Sequence, residues 1–387
     1  MAKIYGRFLF SYSGRQIESN TGDGGNYTGA WITSRVLSCL LRNPVFLHLC
    51  ILEKYLVIQT AFIGDVVLAT GLLEKLHRHF PLAQIDFLLR KGNESLFYNH
   101  PFLGEVLVWD KKKNKQRQLW GLLKKIRDSK YDKVINVQRF AATGLLTAFS
   151  GAGETVGFDK NPFSLLFNKR IKHEIKKGAG WLHEVDRNLT LIADFTDSGE
   201  SRPRLYPSIS DYDRVAPYKK EAYITISPAS VWFTKQYPMS QWVSFIDKIP
   251  DKLNIYLLGG NADGDLCAEI LRRSKRKAIA SLSGKLSFLQ SAALMEHALM
   301  NYVNDSAPMH FASAVNAPVT AIFCSTVPAF GFGPLSDKSF VVETPEPLEC
   351  RPCGLHGYKA CPLKHFHCAK QIADEQLLAT LCFPATH

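Results

Sequence analysis

The sequence predicts an α/β protein made of two successive halves, each a parallel sheet covered by helices. Short apolar segments typical of buried strands alternate with segments whose apolar residues recur at helical spacing. This alternation stops in a polar, proline-bearing stretch from Thr196 to Tyr218 and then begins again. Because the two halves are similar in length, we expect two Rossmann-like domains that face a cleft.

In the first half, the apolar pattern predicts alternating strands and helices that begin at Tyr55. The first helix follows the Gly64-Asp65 turn and ends before Pro81, because proline lacks the amide hydrogen that a helix interior needs. The predicted strands are Tyr55–Gln59, Ile85–Leu89, Val106–Trp109 and Val134–Val137, and the second helix is Trp120–Arg127. Strands joined through helices run parallel, so their carboxyl ends share one edge of the sheet.

The second half repeats this arrangement. Its predicted strands are Tyr223–Ile226, Ile255–Leu258, Ala278–Leu282, Tyr302–Val303 and Val319–Phe323. Its predicted helices are Ser240–Ile249, Asp263–Arg273, Ser287–Leu299 and Ala307–Val315. We therefore place a first domain at residues 53–205 and a second at 219–375.

Residues 1–52 lack this pattern and are predicted to be an N-terminal extension, rich in glycine and polar residues. One hypothesis is that translation begins near Leu52 and that the extension lies outside the fold. The alternative is an ordered appendage that covers a sheet edge. The sequence leaves the role of the extension open.

Composition narrows the class of protein. Apolar residues make up 46% of the 387 residues, which excludes a disordered or fibrous chain. No apolar run is long enough to span a membrane. The formal net charge of +12 favours anionic partners such as nucleic acid, an anionic membrane face or phosphorylated substrates. No secretory signal is apparent, so we expect a cytoplasmic protein with reduced thiols.

The first candidate site residues are Gly64 and Asp65, at the turn between the first strand and the first helix. Glycine lets a ligand approach the backbone, and the carboxyl edge of a parallel sheet is where such folds bind ligands. The alternative is that Asp65 only caps the helix. The turn lacks the GxGxxG pattern, which disfavours a dinucleotide-dependent oxidoreductase.

Three segments of the second half carry further candidates. Ser230 and Lys235 lie in a hydroxyl-rich loop suited to phosphate oxygens. Asp305, Ser306 and Ala307 begin a helix whose free amides attract a diphosphate. Gly259 follows a strand, and His310 lies one turn into the helix. The alternatives are an exposed capping loop, a simple turn and a packed or surface histidine.

These segments occur in an order that resembles glycosyltransferase family 9, the ADP-heptose:lipopolysaccharide heptosyltransferases. The resemblance extends from Lys54 to Ile372. It rests on Leu-Leu-Gly-Gly at 257–260, Ser-Gly-Lys-Leu-Ser at 283–287, Asn304–His310 and Gly-Pro-Leu at 333–335. It departs from the family at Ser306-Ala307, where Thr-Gly is usual, and at Tyr237-Pro238, where Trp-Pro is usual.

The resemblance implies a GT-B fold, with the sugar acceptor bound by the first domain and ADP-heptose by the second. It implies an inverting transfer of heptose to a lipopolysaccharide inner-core acceptor, with Asp65 as catalytic base. It assigns the nucleotide sugar to Ser230, Lys235, Asp305, Ser306, Ala307 and His310. No cofactor is expected for catalysis. The alternative donor is another nucleotide sugar.

Four cysteines crowd into one segment near the C-terminus: Cys350, Cys353, Cys361 and Cys368. Four thiolates can close a structural zinc site, and an iron–sulfur cluster is also compatible with them. Unliganded thiols and disulfides are the alternatives. Because the spacing is not the paired CxxC form, the sequence does not decide among these states.

A basic run, Lys111–Arg117, continues into the following helix in the predicted acceptor domain. It is suited to a phosphorylated lipid A–core acceptor or to the anionic inner face of the inner membrane, and the alternative is a solvated helix face. A second run, Arg272–Lys277, is expected to cover a helix end. A zinc-containing nucleic-acid-binding protein is the competing class, but no aromatic residues are interleaved with the basic runs, and we expect no nucleic-acid partner.

Overall fold

The computed structural model describes residues 53–177 and 180–381. The predicted extension, residues 1–52, lies outside the described residues, and so do both hypotheses about it. The described chain contains two six-stranded parallel sheets with helices on both faces. Within these residues, no helix combines the length and the apolar character needed to cross a bilayer. The prediction of two Rossmann-like domains is confirmed.

The first sheet has the strand order β3-β2-β1-β4-β5-β6. Its strands are β1 (Lys54–Ile58), β2 (Gln84–Arg90), β3 (Leu103–Trp109), β4 (Lys133–Asn136), β5 (Glu154–Phe158) and β6 (Lys169–Ile171). Its helices are α1 (Ile63–His79), α2 (Lys115–Asp128), α3 (Ala141–Ala148) and α4 (Glu184–Leu189), and a small hairpin pairs β7 (Lys176–Lys177) with β8 (Gly180–Trp181). The sequence did not predict β5 or β6, because these short strands contain charged residues and glycine in place of an apolar run.

The second sheet repeats the same order as β11-β10-β9-β12-β13-β14. Its strands are β9 (Tyr223–Ser227), β10 (Asn254–Leu257), β11 (Ile279–Ser281), β12 (Asn301–Asn304), β13 (Val319–Phe323) and β14 (Ser339–Glu343). The remaining helices are α5 (Ile209–Val215), α6 (Met239–Lys248), α7 (Gly264–Arg273), α8 (Phe288–Glu296), α9 (Ala307–Ala314), α10 (His367–Lys370) and α11 (Asp374–Leu378).

The connection between the sheets is more ordered than its composition predicts. It contains α5, which begins with a capping box in which Ser208 and Asp211 satisfy each other's backbone amides. Tyr212 of this helix bonds Glu296 of α8 through its hydroxyl, at 2.6 Å. The prolines therefore frame a helix that packs against α8 of the second lobe.

The two sheets, with their helices, form two lobes that meet along α1 and α9. One continuous apolar cluster includes Leu68 and Leu72 of α1 together with Phe311 and Ala312 of α9. Two further clusters fill the outer faces of the sheets. Because this cluster crosses from one lobe to the other, the lobes share part of their core. Burial of each large apolar side chain in it contributes about 1.5–3 kcal/mol. This packing brings the carboxyl ends of β1 and β12 to a common groove.

Candidate active site

The groove begins where the first turns of α1 and α9 touch. A Cβ atom on Gly64 would lie 2.9 Å from Cδ2 of the His310 imidazole, closer than real Cβ contacts allow. Only glycine permits this approach without displacing the ring. The turn predicted to admit a ligand thus first admits a side chain of the other lobe.

Asp65 lies in the first turn of α1 and faces this groove. Its carboxylate interacts electrostatically with Lys235 of the second lobe and with Arg139 of the first. Burial raises its pKa above the ordinary value, and backbone N–H groups of Asp65 and Phe62 together with the two cations oppose the shift. The N-cap position itself belongs to Phe62, so the alternative of Asp65 as the N-cap is wrong, although its carboxylate does bond the N-cap backbone.

Across the groove, Lys235 and Asp305 form an ion pair. The distance from Lys235 Nζ to Asp305 Oδ2 is 2.7 Å, and the two side chains are 15% and 8% exposed. The Thr326 hydroxyl donates to the same carboxylate oxygen at 2.5 Å. The lysine predicted to hold phosphate is thus held in place by a neighbouring carboxylate whose charge it offsets.

The start of α9 offers backbone donors beside this pair. Ser306 is the N-cap, but its hydroxyl bonds the Asn304 carbonyl at 3.3 Å and does not cap the helix. Pro308 follows in the first turn, as expected for a helix start. No side chain of the described residues caps the first amides of α9, and the helix dipole favours an anion there.

A cavity of about 290 Å³ lies directly next to these amides. It contains four predicted residues, Ser230, Gly259, Ser306 and Ala307, together with apolar side chains from both lobes. Ser227 also lines it, and its buried hydroxyl has no hydrogen-bond partner among the described residues. A concave, mostly apolar space with a few polar groups is typical of a ligand site.

His310 does not line the cavity. It is 5% exposed, and its Nδ1 has no hydrogen-bond partner in the described part of the chain. Burial, followed by the charges of His183 and Lys235, lowers its pKa to about 3. The ring is therefore neutral at physiological pH and packs between the lobes, which agrees with the alternative of a packed histidine.

Sequence reasoning missed several groups that complete the groove. The His183 ring bonds the Gly333 carbonyl at 3.1 Å, and the Glu184 amide donates to the Gly331 carbonyl at 2.8 Å. Arg187 then pairs with Glu184. These contacts join the first lobe to the loop before β14. In the sequence, these groups appear only as His-Glu-x-x-Arg at 183–187, which has no periodicity that would mark it as part of a site.

The Cys-rich segment, residues 350–368, braces the Lys235 loop. The Thr234 amide donates to the Tyr358 carbonyl at 3.1 Å, and the Tyr358 amide donates to the Thr234 hydroxyl at 2.7 Å. The Cys353 amide bonds the Ser325 carbonyl at 2.8 Å. Gly357, with φ of +75°, lies so close that a Cβ would be 3.0 Å from Lys235 Cγ.

The four cysteines of this segment are unpaired thiols. The Cys353 thiol bonds the backbone carbonyl of Cys350 at 3.3 Å, and Cys350 Sγ lies 3.9 Å from His365 Nε2. Within residues 53–177 and 180–381, no group of three or more His, Cys, Asp or Glu is arranged to hold a metal ion. The described cysteines therefore do not form the zinc site that the sequence allowed.

The basic run lies at the same edge of the first sheet as Asp65. Lys111 donates to the Thr60 carbonyl and hydroxyl at 2.8 and 3.0 Å, and burial lowers its pKa to about 8. Lys112 and Lys113 are exposed beside a surface cavity of about 440 Å³ that Arg90 also lines. In the second run, Arg276 bonds the carbonyls of Ile249, Pro250 and Leu253, which agrees with a role in covering a helix end.

Known proteins share this arrangement. The profile of glycosyltransferase family 9 (heptosyltransferase) matches residues 119–360. Lipopolysaccharide heptosyltransferase 3 of Escherichia coli K12 is 29% identical over 286 residues, which cover 68% of this chain and 80% of the relative.

Two solved structures share the fold. A family 9 glycosyltransferase of Veillonella parvula superposes with a TM-score of 0.72 at 21% identity, covering 85% of this chain and 95% of that one. The E. coli ADP-heptose lipopolysaccharide heptosyltransferase II superposes with a TM-score of 0.68 at 20% identity, covering 85% and 97%. Two parallel lobes around a groove thus form the GT-B fold that was expected. The chain belongs to glycosyltransferase family 9, the heptosyltransferases, and is a glycosyltransferase.

Proposed function

We propose that the protein is an inverting enzyme that transfers heptose from ADP-heptose to a lipopolysaccharide inner-core acceptor. One observation carries the proposal: the Asp65 carboxylate faces Lys235 across the groove, beside a cavity at the start of α9. The heptosyltransferase relatives support the transferred sugar, and the fold shared with the E. coli ADP-heptose lipopolysaccharide heptosyltransferase II supports the donor.

The second lobe binds the donor in this proposal. The nucleoside occupies the cavity lined by Ser230, Gly259 and Ser306, and the diphosphate lies at the α9 amides. Lys235 lies within reach of the same phosphates from the facing loop. Asp305 keeps the lysine in place, and its own charge is offset by that lysine and by Thr326. Fixed cationic and backbone donors of this kind stabilise a departing diphosphate.

The first lobe supplies the base. Asp65 accepts the proton of the acceptor hydroxyl while that oxygen forms a bond to the anomeric carbon. The bond from this carbon to the diphosphate oxygen breaks on the opposite face, and its electron pair leaves with ADP. The attack from the opposite face inverts the anomeric configuration. The raised pKa of Asp65 makes it a stronger base than an exposed carboxylate.

The acceptor is proposed to enter over the basic edge of the first lobe. Lys112, Lys113 and Arg90 lie there, exposed or half-buried, and attract the phosphates of a lipid A–core acceptor. The same residues suit peripheral contact with the anionic inner face of the inner membrane, where each basic residue contributes about 1 kcal/mol. This proposal places the enzyme in the cytoplasm.

A panel of nucleotide sugars tests the donor. Ligands that bind only the folded state raise its unfolding temperature, so ADP and ADP-heptose should raise it more than uridine or guanosine diphosphate sugars. Preference for another nucleotide sugar would favour the alternative donor. Transfer is then followed with a purified inner-core acceptor, and NMR of the product reports the anomeric configuration. Retention would contradict the inverting mechanism.

A further inference from the structure

Arg139 is a cation at the groove that the proposed chemistry has not used. It follows β4 on the carboxyl edge of the first sheet, next to β1, whose helix carries Asp65. Its side chain is exposed, and no carboxylate of the described residues lies within 4.0 Å of its guanidinium. An unpaired arginine beside a candidate base is available to a substrate.

The backbone that carries Arg139 is fixed by a buried amide. Asn161, 2% exposed, donates from Nδ2 to the carbonyl of Gln138 at 3.0 Å and to that of Phe140 at 3.1 Å. One side chain thus holds the peptide groups on both sides of Arg139. A buried amide bonded twice to the main chain restricts the direction in which the arginine leaves the sheet.

The charge of Arg139 acts on titratable groups from several segments around the groove. Burial raises the pKa of the Asp65 and Glu184 carboxyls, and the charge of Arg139 opposes that shift. Burial lowers the pKa of the His173 and His356 imidazoles, and the charge of Arg139 lowers it further. Asp65 is the base of the proposed reaction, and His356 belongs to the Cys-rich segment across the groove. A group bound to Arg139 would therefore lie near the reacting hydroxyl.

Two exposed aromatic residues lie along the same edge. Phe140 is 62% exposed and follows Arg139 directly, while Phe62 is 59% exposed and precedes α1. The Arg90 guanidinium lies 4.8 Å from the centre of the Phe62 ring. Exposed rings beside cations are suited to a ligand that has both an apolar sugar face and an anionic substituent.

We propose that Arg139 determines acceptor specificity by binding an oxyanion, a phosphate or a carboxylate, carried by the acceptor next to the hydroxyl that receives the sugar. Guanidinium binds such groups through two parallel hydrogen bonds, which lysine cannot reproduce. This inference rests on the proposed function and deepens it. It assigns acceptor selection to the first lobe and leaves donor binding to the second.

The test compares wild type, Arg139→Ala and Arg139→Lys in transfer assays that vary donor and acceptor separately. Loss of one charge-assisted bidentate contact should raise the acceptor KM of Arg139→Ala by about 10- to 100-fold. Arg139→Lys should show a smaller increase, and the Kd for ADP should stay unchanged in both. Arg127→Ala is the matched control, because this exposed arginine ends α2 at the opposite edge of the sheet.

Phosphatase treatment of the acceptor separates the two sources of the oxyanion. If the anion is a phosphate, wild type and Arg139→Ala become equally poor on the treated acceptor. If it is a carboxylate, treatment leaves their difference intact. An unchanged acceptor KM in Arg139→Ala, or a weakened ADP affinity, overturns this inference but leaves the proposed function standing. A wild-type protein that binds ADP but accepts no lipopolysaccharide sugar, or one that does not bind ADP, overturns it together with the proposed function.

Discussion

The two lobes have the same strand order, yet their groove edges differ in chemistry. The first lobe presents a carboxylate at Asp65 with arginines at the ends of the neighbouring strands β2 and β4. The second presents a cavity lined by Gly259, a Lys235–Asp305 ion pair and the open start of α9. The proposed function follows this difference: the first lobe activates a hydroxyl and the second holds a diphosphate.

Among the described residues, only the second lobe has an added brace. Arg351 of the Cys-rich segment bonds the carbonyls of Phe323, Cys324 and Thr326 at the carboxyl end of β13. Glu343 of β14 completes the contact. This difference indicates that the shared sheet topology only positions the loops at the carboxyl ends of the strands. Loops supply the different side chains, and in the second lobe the C-terminal segment bonds the loop that carries Lys235.

The largest effect is expected at the first lobe, from the charge of Asp65. Asp65→Asn should lower kcat by about 10²- to 10⁴-fold, because it removes the general base. Because the base must be ionised, wild-type kcat/KM should fall as the pH drops through the raised pKa of Asp65. The ADP Kd should not change, and Asp128→Asn, an exposed carboxylate of α2, is the control.

Asp65→Asn should lower activity but raise the stability of the folded protein. Burial raises the folded-state pKa of Asp65, so the folded protein binds this proton more tightly than the unfolded chain. The ionised carboxylate therefore costs stability above that pKa, and the cost disappears as the pH falls through it. Asp65→Asn should unfold at a higher temperature than wild type at pH 7–8. A lower unfolding temperature there would indicate a structural role.

The second lobe should respond to loss of Lys235 in a different way. Lys235→Met should weaken ADP binding by about 10- to 100-fold, since a charge-assisted contact is lost. It should also lower the free energy of unfolding by about 2–3 kcal/mol, because the mostly buried Asp305 carboxylate loses its partner. Titration with ADP and denaturant unfolding measure the two effects.

A second substitution separates these effects of Lys235. Adding Asp305→Asn to Lys235→Met removes the unpaired charge, so most of the stability should return while ADP affinity stays low. If affinity returned together with stability, Lys235 would serve only to neutralise Asp305. Donor binding by the second lobe would then depend on the α9 amides alone.

The smallest effect on activity is expected from a substitution in the Cys-rich segment that braces the Lys235 loop. Gly357→Ala should lower kcat/KM for the donor by about tenfold, because the new methyl group would lie 2.9 Å from Thr234 Oγ1 and displace the Lys235 loop. Gly92→Ala is the matched control, since Gly92 also has positive φ, +101°, but no atom lies within 4 Å of an added Cβ. Both variants carry backbone strain, so equal donor kinetics would contradict a positioning role for the Cys-rich segment.

The sequence predicted the interior strands well because these strands are apolar on both faces. Val319–Phe323 was predicted with its observed bounds, and the helix predicted to follow Ser306 is α9. The strands β5, β6 and β14 were missed because they lie toward one edge of each sheet, where solvent permits charged residues. The helix α5 was missed because its flanking prolines indicated a linker.

The candidate site was predicted in part. Ser230, Gly259, Ser306 and Ala307 line the cavity, because strand ends and helix starts are local features that the sequence reveals. Arg139 and Glu184 were not predicted. Their importance depends on distant segments that converge at the groove, and one-dimensional spacing contains no record of that convergence.

The sequence by itself determined the alternation of strands and helices, the break between the lobes and the basic balance of charge, since each depends on neighbouring residues or on composition. Only the tertiary structure decided that Lys235 pairs with Asp305 and that His310 packs neutral against Gly64. Only the tertiary structure showed that the Cys-rich segment bonds the loop that carries Lys235. Distances between remote segments, and the burial that shifts their pKa values, exist only once the lobes have packed.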